Sequence, residues 1–268
     1  MTLDILICSL NKGIVRIDSQ LNAPRPDVRY IISYQYTDER YLDLVPKSLK
    51  ERSDVTIYEH AGKGLSANRN LAMEKATADL IMFADDDTRL CFGAIKEIFK
   101  IFTAHPKMDV AFLRASTYTG KPLKKYPAQG YKLTANKQNY SVSIIEMVCR
   151  RKKVQGVVRF DERFGLGTKF LTCGEEEIWM EDAFKAHLQI YYFPIKIVET
   201  STMLKKSLIY VDAGVQRSKG AITYYKYGRT AWWHCFRFAT DAARRKMCHF
   251  FPLFYHLIEG INYMRKTK

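Results

Sequence analysis

Short runs of strand length alternate along the chain with segments of helical period, and that alternation restricts the fold more than any other feature. LDILICSL (residues 3–10), VRYIISYQ (28–35), DVTIYEH (54–60), DLIMFA (79–84) and MDVAFLRAS (108–116) are β-branched or aromatic and bounded by polar residues. Between them, Ser66 stands where it would N-cap a helix running to Ala76, and CFGAIKEIFKIF spaces Ile95, Ile98, Phe99 and Phe102 on one helical face. The order predicts an α/β fold with a mostly parallel sheet and helices on both faces. With 268 residues, 47% of them hydrophobic and 13% aromatic, the chain can bury a full core and is not a disordered polymer.

One strand ends unusually. Residues 83–90 read FADDDTRL, so three carboxylates follow directly on a buried apolar run, where like charges repel and desolvation is costly. A divalent cation would neutralise them, and Mg²⁺ or Mn²⁺ takes one or two carboxylates together with phosphate oxygens. Ligands of parallel sheets also sit beyond the carboxyl ends of the strands, which is where Asp85, Asp86 and Asp87 fall. The plainer alternative is a solvated acidic turn before a helix starting near Cys91. A phosphoryl- or nucleotidyltransferase site would use the same ingredients.

The flanking residues favour one reading. In GKGLSANRNLAMEKATADLIMFADDD (62–87), a glycine-rich turn, a helix carrying Arg69 and Asn70, and an apolar strand lead into the aspartates. This order resembles the donor half of the inverting family 2 glycosyltransferases, which have the GT-A-type nucleotide-sugar fold; Gly64, Ser66, Arg69, Asn70, Asp85 and Asp87 match its pattern. The resemblance implies donor contacts from Ser9, Asn11, Ser33, Gln35, Gly64, Arg69, Asn70, Asp85 and Asp86, and a metal held by Asp87 with Asp85.

A second segment, FDERFGLGTKFLTCGEEEIWMEDAFKAHLQIYYFP (160–194), resembles the acceptor side of the same family, with Gly165, Gly167 and Gly174 leading to Glu175 and Glu176. An inverting transfer needs a general base to take the acceptor hydroxyl's proton. The resemblance puts that base at the second acid, Glu176, with Glu175 as the other catalytic candidate. Acids at positions 175–177 would also favour a helix start whatever the function. Glu177 and Glu181, four residues apart, are expected to share a solvated face.

The resemblance covers residues 3–200, with two departures. The second strand lacks the aspartate that many relatives use to read uracil, offering Ser33, Tyr34 and Gln35. After the last strand Glu199 and Thr200 stand where many relatives have a histidine metal ligand.

The expected organisation is a catalytic domain over 1–205, with a donor half to about 115 and an acceptor half from about 116, then a basic, aromatic helical extension over 206–268. The segment 117–140 reads as a polar, mobile surface loop. Six scattered cysteines without a C-x-x-C pair are expected to be reduced packing residues.

The formal charge is +15, and residues 201–268 hold 13 Lys and Arg against Asp212, Asp241 and Glu259. There Trp232, Trp233, Phe236, Phe238, Phe250, Phe251 and Phe254 interleave with Arg237, Arg244, Arg245 and Lys246. Such a tail suits an anionic bilayer surface; the alternative is a pair of helices packing on the catalytic domain or on a second subunit, with the charges simply solvated. Nucleic-acid binding would leave both acidic motifs unexplained. The first residues read as a strand and not a signal peptide, and no apolar run approaches the ~20 residues of a membrane span. The resemblance, taken with this tail, implies an inverting glycosyltransferase using a nucleotide-diphospho-sugar, a UDP-sugar favoured, and a glycan or lipid-linked glycan acceptor. The expected location is cytoplasmic, at the inner face of a bacterial membrane during surface-polysaccharide assembly.

Overall fold

A computed structural model describes residues 1–135, 140–201 and 206–267. The strands are β1 Leu3–Leu10, β2 Val28–Tyr36, β3 Val55–Ala61, β4 Leu80–Asp85, β5 Thr88–Leu90, β6 Val110–Thr117, β7 Tyr131–Lys132, β8 Met147–Arg150 and β9 Ile190–Thr200. The α-helices are α1 Ile14–Ile17, α2 Lys47–Glu51, α3 Leu65–Lys75, α4 Ala94–Ala104, α5 Arg151–Val154, α6 Glu175–Lys185, α7 Ala213–Tyr227, α8 Ala231–Arg244 and α9 Phe250–Lys266. By contacts the chain divides into two compact units. The first holds residues 1–63, 67–159 and 182–201; the second holds 64–66, 160–181 and 206–267. Residues 160–181 therefore cluster with the C-terminal helices, whereas the sequence groups them with the first 205 residues. The boundary expected after residue 205 falls among 202–205, outside the described residues.

The first unit carries one sheet in the order β3-β2-β1-β4-β8-β6-β9-β5, with β7 pairing β9. β3, β2, β1 and β4 are parallel. β1 buries all residues but its last, as expected of a strand covered on both faces. Its one acid, Asp4, is fully buried and satisfied by Arg29 and by the backbone N–H groups of Thr77 and Ala78. Beyond β4 the sheet changes character, because β8 is antiparallel to both β4 and β6.

The segment 117–140 is not a purely polar surface loop. Leu123, Lys124, Leu133 and Tyr140 are buried, while residues 136–139 lie outside the described residues. The reason is Glu146, wholly buried at the start of β8, which pairs with Lys124 Nζ at 2.6 Å and accepts hydrogen bonds from the hydroxyls of Tyr126 and Tyr140. Burying that carboxylate requires these three donors, and all of them come from this segment.

In the second unit α8 and α9 share a core of Ala231, Cys235, Ala239, Ala242, Leu253, Leu257 and Ile261, with Tyr224 of α7 packed against it. α7 and α9 approach so closely at two glycines that a Cβ on Gly220 would stand 1.9 Å from the Leu257 carbonyl oxygen, and one on Gly260 1.9 Å from that of Arg217. A second cluster joins Met264 of α9 and Ala221 of α7 to Phe164, Leu171 and Ile178. The inner faces of the tail helices are thus packed. None of the described helices is long and apolar enough to cross a membrane.

All six cysteines are free. Burial pushes the Cys8 thiol up to about 12 and those of Cys173 and Cys235 to about 11, which suppresses the reactive thiolate.

Candidate active site

Each carboxylate of the aspartate triplet has its own protein partner. Asp85, the last residue of β4, lies 3.6 Å from the guanidinium of Arg69, a buried side chain in α3, and keeps 42% of its own side chain exposed. Asp86 pairs with Arg16 of α1 at 2.5 Å and accepts a 3.2 Å hydrogen bond from Ser9 at the end of β1. Burial pushes the Asp86 carboxyl above its ordinary value, opposed by Arg16 and by the Ser9 hydroxyl. Asp87 accepts hydrogen bonds on its two oxygens from the hydroxyls of Thr200, at 3.2 Å, and Ser201. Its backbone carbonyl accepts a 2.7 Å hydrogen bond from Tyr118, whose hydroxyl also reaches Gln20. Arginines and hydroxyls of the protein therefore partner all three crowded charges.

Gly13 makes the central position possible. A Cβ there would stand 1.9 Å from Asp86 Oδ2 and 2.7 Å from Ser9 Oγ, so the carboxylate occupies the space of a missing side chain.

The expected donor residues of the first unit fall mainly around the ends of β1 and β2. Ser33 and Gln35 are buried in β2; the Ser33 hydroxyl meets His60 Nε2 at 3.2 Å, and that nitrogen meets Asn68 Oδ1. Asn68 in turn donates to the carbonyl of Ser9. Asn11, at φ 51°, receives the Thr37 backbone N–H and bonds its hydroxyl. Asn70 is buried in α3.

In the second unit Gly64 takes a φ of +148°, a conformation that glycine supplies. Ser66 does not cap its helix. α3 begins one residue earlier, and the Ser66 hydroxyl instead donates to the Phe164 carbonyl at 2.7 Å. Gly165, Gly167 and Gly174 all have positive φ, near 100°, and lead to α6, whose first residue is Glu175. Glu175 is buried, and its carboxylate comes within 3.2 Å of where a Cβ of Gly165 would be. Glu176 is half-buried. Glu177 stays accessible to solvent, but the protein around its carboxyl, with the charge of Glu175, pushes that carboxyl above its ordinary value. Glu181 is not on a solvated face, because it forms a 2.9 Å ion pair with Lys226 of α7 that leaves it only 13% exposed.

Among the described residues no three His, Cys, Asp or Glu side chains form a protein-only metal cage. Asp85 and Asp87 offer the kind of donor that Mg²⁺ or Mn²⁺ takes, since those ions keep waters and bind substrate phosphate oxygens beside one or two carboxylates. Where a histidine ligand was missing from the sequence, Thr200 and Ser201 orient Asp87 through their hydroxyls.

Sequence reasoning missed Gly13, Arg16, Tyr118 and Ser201. Only Gly13, just past a strand end, carries a local signal, and that signal reads equally well as an ordinary turn.

The family described as Glycosyl transferase family 2 matches residues 14–169, more than half of the chain. No curated protein matches. Among solved structures, S. aureus TarS 1-349 aligns with a TM-score of 0.63 at 10% identity, over 100% of this chain and 92% of that one. The same fragment in complex with UDP-GlcNAc gives 0.61 at 11% identity, over 99% and 90%. At such identities the likeness is one of fold, here the GT-A fold, and it agrees with the sequence match. By that match, the chain belongs to glycosyl transferase family 2 and is a glycosyltransferase.

Proposed function

We propose that the enzyme moves a sugar, with inversion, from a nucleotide-diphospho-sugar to a hydroxyl of a carbohydrate acceptor. The observation that carries this reading is the aspartate triplet at the end of β4, held by Arg69, Arg16 and hydroxyls at the strand ends where parallel sheets bind ligands. A UDP-sugar is the favoured donor, supported by the complex of TarS with UDP-GlcNAc. The acceptor we infer is a lipid-linked glycan in bacterial surface or capsular polysaccharide assembly at the inner face of the membrane.

Asp87, with Asp85, would hold Mn²⁺ or Mg²⁺, which when bound would offset the charge gathering on the departing diphosphate. Ser33 and Gln35 are the candidates for contacting the nucleotide base; Ser9, Asn11, Gly64, Arg69, Asn70 and Asp86 would position the remainder of the donor. Glu176 is assigned as general base: it accepts the proton of the acceptor hydroxyl while that oxygen attacks the anomeric carbon and the nucleoside diphosphate leaves. Glu175, buried beside Gly165 at the first position of α6, is the second catalytic candidate.

A thermal-shift panel of nucleotide sugars, with and without Mn²⁺, followed by product analysis, tests the reading. Stabilisation by a UDP-sugar and release of nucleoside diphosphate are expected. Release of pyrophosphate would overturn it in favour of nucleotidyl transfer.

A further inference from the structure

The tail helices turn two different faces outward and inward. Inward go the small and aliphatic residues of the core, among them Ala239, Ala242 and Leu257. Outward stand large apolar rings: Trp233 is 62% exposed, Phe251 81% and Tyr255 62%, with Trp232 and Phe236 also exposed. These rings are not scattered. Trp233 stacks on Phe236 at 5.7 Å, Phe236 meets Phe250 at 5.6 Å, and Phe250 meets Phe251 at 5.4 Å, so a chain of touching rings bridges α8 and α9. Exposed aromatic surface joined in this way is uncommon on a protein that meets only water.

The charges around the rings select the partner. Trp233, Arg237, Thr240 and Arg244 follow one another at four, three and four residues, hence along one stripe of α8. From residue 229 to 258 there are five cations, Arg229, Arg237, Arg244, Arg245 and Lys246, all exposed, against one acid, Asp241. A recess of about 600 Å³ adjoins the turn between α8 and α9, lined by Lys246, Met247, His249, Pro252 and Leu253. Rings at headgroup depth with cations beside them match an anionic leaflet, and an apolar recess with a lysine at its edge suits one lipid molecule.

We propose that the outer face of α8 and α9 docks in the plane of an anionic lipid bilayer, with Trp232, Trp233, Phe236 and Phe251 entering the headgroup region. This deepens the membrane location proposed above by naming the face that makes contact. It needs neither donor nor acceptor, so its failure would leave the transfer reaction standing. Deleting the tail would be a poor test, because Met264 and Ala221 pack against Phe164, Leu171 and Ile178 of the acceptor segment.

The test uses the full chain and two kinds of vesicle, phosphatidylcholine alone and phosphatidylcholine mixed with phosphatidylglycerol. Flotation should recover about tenfold more protein on the anionic vesicles, with high salt reducing the attachment without eliminating it. Tryptophan fluorescence gives a readout without substitution: Trp232 and Trp233 are exposed while Trp179 is wholly buried, so bromine-labelled acyl chains should quench part of the emission. The triple variant Trp232→Ser, Trp233→Ser, Phe251→Ser should lose most of the flotation, and Arg244→Glu with Arg245→Glu should lose the preference for anionic lipid. Absence of both flotation and quenching in the unaltered protein would overturn the proposal. Equal flotation by the triple variant would also overturn it, as would self-association through this face without vesicle binding.

Discussion

The carboxylate of Asp86 fills the space that a side chain on Gly13 would need, with Oδ2 only 1.9 Å from where that Cβ would stand. Gly13 itself has ordinary right-handed backbone angles, φ −57° and ψ −33°, so alanine there is objectionable because of its neighbours, the Asp86 carboxylate and the Ser9 hydroxyl. Gly13→Ala should therefore fold, at a cost of about 1–3 kcal/mol for overpacking. It should also break the Arg16 ion pair and weaken donor binding about tenfold, equivalent to about 1.4 kcal/mol. Calorimetric titration of the variant with a UDP-sugar checks this; unchanged affinity would show that Asp86 has no part in holding the donor.

Metal dependence should reside in Asp87. Donor affinity is expected to rise with Mn²⁺ or Mg²⁺ in the parent protein and not in Asp87→Ala, while the melting temperature without donor stays close to the parent's. Thr200→Val removes the hydroxyl that orients Oδ1 and should keep the metal response at lower affinity. A titration in which Asp87→Ala responds to metal as the parent does would remove the aspartate from the metal site.

Catalysis and binding should separate at the start of α6. Glu176→Gln preserves shape and hydrogen bonding but cannot accept a proton, so transfer should fall by about 10² to 10⁴ fold with donor affinity little changed. Glu177→Gln is the companion measurement. A large loss there and none at Glu176 would move the base one residue along the helix.

Lys124→Met should be among the most damaging single changes outside the site, since it strands the buried carboxylate of Glu146, a loss of about 3–5 kcal/mol. Pairing it with Glu146→Leu should restore much of that stability, because the charge that needed a partner is gone. Chemical denaturation of the two variants distinguishes a buried ion pair from simple loss of packing.

Gly220→Ala and Gly260→Ala should each disrupt the contact of α7 with α9, because the colliding atom is a backbone carbonyl and cannot rotate away. Losses of about 1–3 kcal/mol or more are expected, read as a lowered melting temperature.

Strand and helix period, the aspartate triplet and the glutamates at a helix start are properties of neighbouring residues and are legible from their order along the chain. β1, β2 and β4 lie where their apolar runs put them, and α6 starts on the three acids. Contacts over long separations were decided only in the tertiary structure. Asp86 meets Arg16 across 70 residues, Asp87 meets Thr200 across 113, and no local pattern distinguishes those partners from other arginines and threonines. Residues 117–140 read as solvated because Lys124 and its tyrosines are polar, until Glu146 gives them a buried charge to satisfy. The tail shows the same limit from the other side. Its aromatic and basic composition was plain in the sequence, but which rings face inward depends on where Gly220 and Gly260 allow two helices to meet, and only packing in three dimensions settles that.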